Sequence, residues 1–183
     1  MTIRRYLAAA AVAAMIFPLP AWAALSIGTK APDFTLQASQ GGNAFTFNLA
    51  DSLKKGPVVL YFFPKAFTSG CTVEAHEFAE AAAEFSAAGA TLIGMSSDDI
   101  GTLHEFSEKE CSAKFPVAAD PDLKVIRAYD SVLARIPGVG GVADRISYVI
   151  STDGKVEYSY SDGNPDKHVE NTLAEVKKLQ AAK

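Results

Sequence analysis

Cysteine and histidine are scarce in this chain. Its 183 residues include two cysteines, Cys71 and Cys111, and three histidines. No Cys-x-x-Cys pair occurs, which argues against a dithiol oxidoreductase of the thioredoxin type. The histidines show no zinc-ligand spacing with the cysteines; they are His76, His104 and His168. We therefore expect no metal site and no cofactor.

Clusters of basic residues are also lacking. The formal net charge is −4 at pH 7, and the lysines and arginines do not gather into a basic run. A mildly acidic chain of this kind argues against nucleic acid or an anionic membrane as a partner. After the apolar run at residues 6–17, no stretch of the sequence is long and apolar enough to span a bilayer.

The first 23 residues have the pattern of a secretory signal peptide. Arg4 and Arg5 precede the apolar run, and Ala21 and Ala23 end it as an Ala-x-Ala site. An uncleaved anchor is the alternative, but the run is shorter than the ~20 residues that a spanning helix needs. We expect a signal peptide at 1–23, a single domain at 24–183, and export, to the periplasm. Two cysteines tend to bond in that oxidising compartment.

The remaining chain alternates between short apolar runs and amphipathic stretches. Gln40-Gly-Gly-Asn43 and Ser151-Thr-Asp-Gly154 carry turn chemistry and predict two hairpins. Strands are predicted at 33–36, 44–49, 58–63, 91–96, 115–119, 146–150 and 156–160. Helices are predicted at 72–85, 100–112, a short stretch after Asp120, and from Asn164 onward, and 136–141 is a flexible loop. This order predicts a mixed sheet with helices on both faces, which leaves thioredoxin-like and flavodoxin-like folds open.

Cys71 lies where a buried strand turns into a helix. Residues 58–63 are apolar, β-branched and aromatic, as in a strand buried on both faces. Phe78, Ala81, Ala82 and Phe85 recur at the spacing of one helix face. Free N–H groups and the helix dipole stabilise an anion at such a helix start, and a cysteine there can react as a thiolate. We expect Cys71 to be an exposed nucleophile in an electropositive setting.

The segment around Cys71 also resembles a known signature. Pro64, Thr68 and Cys71 match the Pro-x-x-x-Thr-x-x-Cys pattern of the peroxiredoxins, and residues 70–75 resemble the bacterioferritin-comigratory-protein branch. The resemblance covers residues 31 to about 162. It implies a thioredoxin-like fold with an N-terminal β-hairpin, and a thiol peroxidase that reduces hydrogen peroxide and organic hydroperoxides.

The resemblance assigns roles to the signature residues. The Cys71 thiolate would attack a peroxide oxygen and become a sulfenic acid. Thr68 would direct its hydroxyl to the thiolate and the bound peroxide, whereas an ordinary turn threonine is the simpler explanation. Pro64 would shield the thiolate, and it also ends the strand because it has no N–H.

An arginine before a late core strand completes the site in this family. Three arginines follow residue 23, and Arg145 directly precedes the predicted strand 146–150. Arg127 and Arg135 are better explained as solvated charges. Glu74 matches the family position that orients the arginine fork, although a glutamate near a helix start is also explained by the helix dipole.

Cys111 has three possible roles. Predicted on the apolar side of the helix 100–112, it could resolve the sulfenic acid by forming a disulfide with Cys71, it could be a buried inert thiol in a one-cysteine enzyme, or it could form a permanent bridge. Many members of the subgroup place the resolving cysteine five residues after the first, where this chain has His76, and others place it on the next helix. The resemblance further implies a thioredoxin-like protein reductant and a monomer or weak dimer.

A protein of a different class is also compatible with two cysteines. An exported, non-enzymatic thioredoxin-fold protein could be held together by a structural disulfide between Cys71 and Cys111. Closing that loop would be worth about 4 kcal/mol by the chain-entropy model. This alternative does not explain why Pro64, Thr68 and Arg145 also match the signature.

Overall fold

A seven-stranded mixed sheet forms the centre of the molecule, in a computed structural model that describes residues 24–133 and 141–182. The strand order is β2-β1-β5-β4-β3-β6-β7. The strands are β1 (Thr35–Gln40), β2 (Asn43–Asn48), β3 (Val58–Phe62), β4 (Thr91–Ser96), β5 (Val117–Ala119), β6 (Ile146–Ile150) and β7 (Val156–Ser161). The helices are α1 (Leu49–Leu53), α2 (Ser69–Ala87), α3 (Ile100–Lys109), α4 (Lys124–Ala128) and α5 (His168–Ala181), with a 3-10 turn at Pro165–Lys167.

Strand β3 lies at the middle of the sheet. It pairs in parallel with β4 and antiparallel with β6, and all five of its residues are buried. Its apolar sequence suits this place because both of its faces are covered. The predicted strand therefore positions the segment that follows it, residues 63–68, at the end of the sheet.

Two apolar clusters cover the two faces of the sheet. One contains Leu49 and Leu53 of α1 and Ile126 of α4. The other contains residues of α2, α3 and α5, among them Phe78 and Phe106. Helices therefore pack on both faces, and the predicted thioredoxin-like architecture is confirmed.

The N-terminal hairpin is confirmed, but its strand bounds differ from the prediction. β1 runs over Thr35–Gln40 instead of 33–36, and it joins the sheet through β5. β2 ends at Asn48 because the Asn48 side chain accepts a bond from the N–H of Asp51 and begins α1. That short helix was not predicted, and Leu49 belongs to it.

Helix α3 is shorter than predicted, which changes the position of Cys111. The helix ends at Lys109, with Glu110 as its C-cap, so Cys111 follows the helix and is not part of it. Ser112 and Ala113 adopt left-handed backbone conformations, with φ of 49° and 58°, and the N–H of Ala113 bonds the carbonyl of Ser107. This closing turn cannot continue an α-helix.

The C-terminal part of the fold follows the predicted pattern. β6 and β7 form an antiparallel hairpin, and α5 turns the predicted stripe, including Thr172 and Val176, towards the sheet. The short helix α4 begins at Lys124, later than the predicted start, and the Asp120 carboxylate accepts the N–H groups of Lys124 and Ile126. Among the described residues no helix is long and apolar enough to cross a membrane.

Several predictions fall on residues that the structure does not describe. They are the signal peptide at 1–23, Arg135, and the loop at 136–141 except for its last residue.

Candidate active site

Cys71 lies in the first turn of α2. The helix begins at Ser69 with Thr68 as N-cap, and no side chain caps this end. The side chain of Cys71 is only 1% exposed, so the expectation of an exposed cysteine is wrong. The first turn packs against the sheet, and Cys71 belongs to the apolar cluster that includes Phe78 and Phe106.

Arg145 supplies the positive charge beside the thiol. It lies directly before β6, and its Nη2 is 3.4 Å from Sγ of Cys71. Its Nε donates to the carbonyl of Gly163 at 3.1 Å. A Cβ added to Gly70 would lie 3.1 Å from Nη2, so a glycine at this position lets the guanidinium lie across the start of the helix. The predicted pairing of Arg145 with Cys71 is therefore present.

Glu74 holds the other end of the guanidinium. It lies one helical turn after Cys71, is fully buried, and accepts a bond from Nη1 of Arg145 at Oε2. Burial on its own lowers the pKa of Arg145, but Glu74 and Cys71 outweigh it, and the pKa is raised. Loss of hydration raises the pKa of Glu74 to about 8 even though Arg145 opposes that shift.

His168 and Ser147 lie behind Glu74, and sequence reasoning did not assign either residue to the site. Both are fully buried. Nδ1 of His168 is 2.8 Å from Oγ of Ser147 and 3.7 Å from Oε1 of Glu74. Burial lowers the pKa of His168 to about 4, so the ring is neutral at pH 7. The one available signal in the sequence was a histidine at the N-terminal end of the apolar stripe of α5.

The loop that connects β3 to α2 is fixed by Asp98. Its carboxylate accepts the N–H of Ala66 at 2.8 Å, the hydroxyl of Ser96 at 3.0 Å, and an ion pair from Lys65. Asp98 does not cap α3, because that helix is capped by Asp99, whose side chain accepts the N–H of Thr102. The buried Asp98 instead holds the signature loop against β4.

The loop presents Thr68 at the surface beside the thiol. Its hydroxyl donates to the carbonyl of Lys65 at 2.9 Å, and not to Sγ of Cys71 as predicted. The threonine oxygen therefore keeps its lone pairs for an incoming hydrogen-bond donor. Pro64 is partly buried at the end of β3. Phe67, left-handed at φ 62° and 45% exposed, packs edge-on against Phe106.

Cys111 is a free, fully buried thiol, as Cys71 is. Burial raises the pKa of the Cys111 thiol well above its usual range, so in this conformation it is inert as a nucleophile. In the residue before it, Glu110, Oε2 lies 2.9 Å from Nε2 of His76 of α2. This contact ties the segment that carries Cys111 to the helix that carries Cys71.

Tyr61 of β3 extends into the same apolar cluster. Its ring stacks on Phe78 with centroids 4.4 Å apart, and Gly94 leaves the space that the ring occupies, because a Cβ there would lie 2.7 Å from it. Its hydroxyl is buried with no hydrogen-bond partner among the described residues. Burial raises the pKa of Tyr61 well above its usual value, so it is a neutral phenol and not a base.

Arg127, the other arginine among the described residues, lies outside the site. Arg127 is exposed, and its guanidinium donates to the carbonyl of Asp122. Within residues 24–133 and 141–182 no group of three or more histidine, cysteine or acidic side chains is arranged to hold a metal ion. The groups described at the site are one thiol, one arginine and the side chains that orient the arginine.

Fold and site together define a class of protein. A thioredoxin-like sheet presents a single thiol in the first turn of a helix, beside a buried arginine, as in thiol peroxidases. Comparison with known proteins agrees, because residues 27–159 match the AhpC/TSA family.

Three relatives make the assignment more specific. Chloroplastic peroxiredoxin Q of Oryza sativa subsp. japonica is 34% identical, over 89% of this chain and 78% of the relative. Peroxiredoxin Bcp of Escherichia coli is 34% identical, over 79% of this chain and 90% of the relative. The crystal structure of peroxidoxin BcpB from Mycobacterium tuberculosis is 29% identical, with a TM-score of 0.73 and coverage of 84% and 97%.

The chain thus belongs to the AhpC/TSA family, and its relatives are peroxiredoxins of the Bcp and Q types. The predicted resemblance is confirmed, and with it the activity of a thiol peroxidase. A non-enzymatic protein with a structural disulfide is not favoured.

Proposed function

We propose that Cys71 is the residue that reduces peroxide and that Arg145, Thr68 and Pro64 form the rest of the reacting site. The observation that carries this proposal is the 3.4 Å contact between Nη2 of Arg145 and Sγ of Cys71. A fixed cation at this distance stabilises the thiolate and is also placed to polarise a peroxide bound beside the sulfur.

The chemical step is a two-electron transfer from sulfur to oxygen. The thiolate attacks the terminal peroxide oxygen, an S–O bond forms and the O–O bond breaks. With one proton taken up, thiolate and hydroperoxide give a sulfenic acid and water or an alcohol, so that the sulfur is oxidised and the peroxide reduced.

Thr68 is placed to orient the substrate. Because its own proton is donated to the carbonyl of Lys65, its oxygen accepts the O–H of the hydroperoxide and aims the terminal oxygen at Sγ. Pro64 offers no N–H that could solvate the thiolate. Hydrogen peroxide and small organic hydroperoxides both carry an O–H on the terminal oxygen, which is the group that this arrangement needs.

Cys111 is proposed to resolve the sulfenic acid. Its thiol attacks the oxidised sulfur of Cys71, an S–S bond forms and water leaves. The buried thiol must first become accessible, and the strained turn at Ser112 and Ala113 is where the chain opens. A thioredoxin-like dithiol protein then reduces the disulfide and completes the cycle.

Cellular location and assembly are proposed from the sequence. The signal-peptide pattern at residues 1–23 supports cleavage after Ala23, export to the periplasm, and a mature single domain at residues 24–183 that acts as a monomer or weak dimer. An exported reductant is then required, because the compartment oxidises thiols.

The test is peroxide consumption by residues 24–183 with a generic dithiol as reductant. The Cys71→Ser variant is expected to keep the fold and lose all turnover, because no other described group can become a comparable nucleophile. The Cys111→Ser variant is the matched control, and it is expected to consume the first equivalent of peroxide at the wild-type rate. Retained turnover in Cys71→Ser would falsify the assignment.

A further inference from the structure

One oxygen of Glu74 lacks the partner that a buried carboxylate needs. Oε2 accepts the bond from Arg145, but Oε1 is fully buried and has no hydrogen-bond partner among the described residues. A buried carboxylate oxygen without a donor is strongly destabilised. Glu74 is therefore poorly solvated as an anion on the side away from Arg145.

The polar atom that lies nearest to this oxygen across the gap, Nδ1 of His168, is not a hydrogen-bond donor. Nε2 of His168 is 3.0 Å from the carbonyl of Asp162, and since a carbonyl only accepts, Nε2 carries the hydrogen of the neutral ring. Nδ1 then has a lone pair, which accepts the hydroxyl hydrogen of Ser147 at 2.8 Å. Nδ1 and Oε1, neither of which carries a hydrogen, thus lie 3.7 Å apart with no proton between them.

We propose that Glu74 is protonated at Oε1 in the reduced enzyme and that His168 holds this proton by accepting it at Nδ1. Ser147 and Glu74 then share the same acceptor, and a small approach of the two side chains turns the 3.7 Å contact into a hydrogen bond. His168 acts through Glu74 and is a positioning residue. The inference rests on the proposed role of Cys71.

The charges around the pair are consistent with one shared proton. Loss of hydration raises the pKa of Glu74 to about 8, and Glu77 on the same helix adds to the shift. Burial and the charge of Arg145 lower the pKa of His168 to about 4, although Asp162 and Asp144 oppose this. The proton therefore resides on the carboxyl group. The titratable and charged groups around Glu74 and His168 lie on α2, on β3, on β7, just before β6 and just after β7; they are Cys71, Glu77, Tyr61, Tyr160, Asp144, Arg145 and Asp162.

Protonation of Glu74 changes what Arg145 does. If Glu74 were ionised, the arginine charge would be divided between a carboxylate and the thiolate of Cys71, and the buried cluster would carry a net negative charge. With Glu74 neutral, the guanidinium is still oriented by Oε2, but its charge is balanced by Cys71 alone. His168 thereby favours the thiolate without contacting it.

Infrared spectroscopy of the reduced protein tests the proposal directly. The difference spectrum of wild type minus Glu74→Gln at pH 7 is expected to contain the carbonyl stretch of a protonated carboxyl group, which lies at higher frequency than the bands of a carboxylate. The band is expected to disappear as the pH rises through about 8. Its absence at pH 7 overturns the proposal, and no peroxidase activity is needed for the measurement.

The variant His168→Leu tests the role of the ring. Removing the acceptor is expected to make the protonated-carboxyl band disappear at a lower pH than in the wild type, because the neutral acid loses its hydrogen bond while the loss of hydration remains. At a pH where Glu74 is ionised in the variant and neutral in the wild type, the thiolate of Cys71 is less favoured, and its absorbance is expected to appear at higher pH. If the pKa of the thiol rises by about 1, the rate with peroxide below that pKa falls about tenfold. His104→Leu, which replaces a partly buried histidine of α3, is the matched control and leaves both readouts unchanged.

The outcomes separate this inference from the proposed function. A lower melting temperature in His168→Leu, with the band and the thiolate titration unmoved, makes His168 merely structural and overturns the inference. If His168→Leu does not fold, His168→Phe replaces it, because phenylalanine also lacks an acceptor, and the wild-type difference spectrum still decides. A protonated Glu74 in a protein without peroxidase activity refutes the function of Cys71 and leaves the state of Glu74 standing.

Discussion

The guanidinium of Arg145 lies 3.4 Å from Sγ of Cys71, although 74 positions separate the two residues in the chain. The contact exists because β3, which leads to Cys71, and β6, which follows Arg145, are adjacent antiparallel strands. Phe62 pairs with Ile146 in their register. The C-terminal end of β3 and the N-terminal end of β6 therefore lie next to each other, at the same end of the two strands.

The first prediction concerns this contact. Arg145→Ala is expected to slow the reaction of Cys71 with peroxide roughly ten- to a hundredfold, because hydrogen bonds to charged groups are worth about 1.5–3 kcal/mol. Stopped-flow kinetics and thiolate absorbance against pH measure the effect. Arg127→Ala is the control, since that side chain is exposed and bonds only a local carbonyl, and we expect Arg135→Ala to do equally little. A large effect in either control would transfer the role of the cation away from Arg145.

The second prediction concerns the fate of the sulfenic acid. One equivalent of peroxide is expected to give a wild-type protein lighter by two hydrogen atoms, because one S–S bond replaces two thiols. Cys111→Ser is expected to stop at the sulfenic acid, which a dimedone-type probe traps, and to proceed to sulfinic acid under excess peroxide. Mass spectrometry under non-reducing conditions distinguishes these species. A wild-type protein that shows only sulfenate contradicts a resolving role, and a bond found only between chains makes the working unit a dimer.

The third prediction concerns the strained turn after Cys111. Ser112 has φ of 49°, a conformation that costs an L-residue roughly 1–2 kcal/mol relative to glycine. Ser112→Gly is therefore expected to stabilise the reduced protein by about 1 kcal/mol and to slow disulfide formation, because opening the turn no longer releases strain. Chemical denaturation and the rate of disulfide formation measure the two effects.

A matched substitution controls for glycine itself. Ser86 is exposed within α2, where glycine is less favourable than serine, so Ser86→Gly is expected to lose about 0.5 kcal/mol and to leave disulfide formation unchanged. Faster disulfide formation in Ser112→Gly would show that the flexibility of the turn after Cys111, and not its backbone strain, controls how readily the turn opens.

The fourth prediction is a pH dependence of folding stability. In the folded state the pKa of His168 is lowered to about 4 by burial, whereas an unfolded histidine has a pKa of about 6.5. Between these pH values the unfolded chain binds more protons than the folded chain does. The contribution of neutral His168 to the free energy of unfolding is therefore fully present above about pH 6.5, and it is lost as the pH drops towards 4. The full loss amounts to about 3 kcal/mol.

The measurement requires a background without Glu74, because the raised pKa of that carboxyl has the opposite dependence. Urea denaturation at several pH values compares Glu74→Gln with the double variant Glu74→Gln, His168→Leu. In Glu74→Gln the free energy of unfolding is expected to fall between about pH 6.5 and pH 4. In the double variant the part of this fall that comes from His168 is expected to be absent. If the free energy of unfolding depends on pH with the same slope in both proteins, His168 is not buried in its neutral form.

Local patterns predicted much of the fold and the elements that carry the candidate site. The apolar run before Pro64 is a buried strand, the stretch after Cys71 is a helix, and the Asp153-Gly154 turn joins two antiparallel strands. Strand–turn–helix geometry depends on residues near one another in the chain, so a short sequence was enough. Element ends were less predictable. The helix that was expected to contain Cys111 stops at Lys109 because of backbone conformations that no sequence signal marks.

The sequence by itself pointed to Cys71 as the reactive thiol and placed it between a strand and a helix, since Pro64, Thr68 and Cys71 are within eight consecutive residues. Only the tertiary structure decided that Cys71 is buried, that Thr68 donates to Lys65, and that Asp98 holds the loop. It also placed His168 beside a Glu74 oxygen that lacks a donor. These properties depend on how α2, β6 and α5 pack together. Burial and hydrogen bonding between distant segments are set by that packing and not by local spacing.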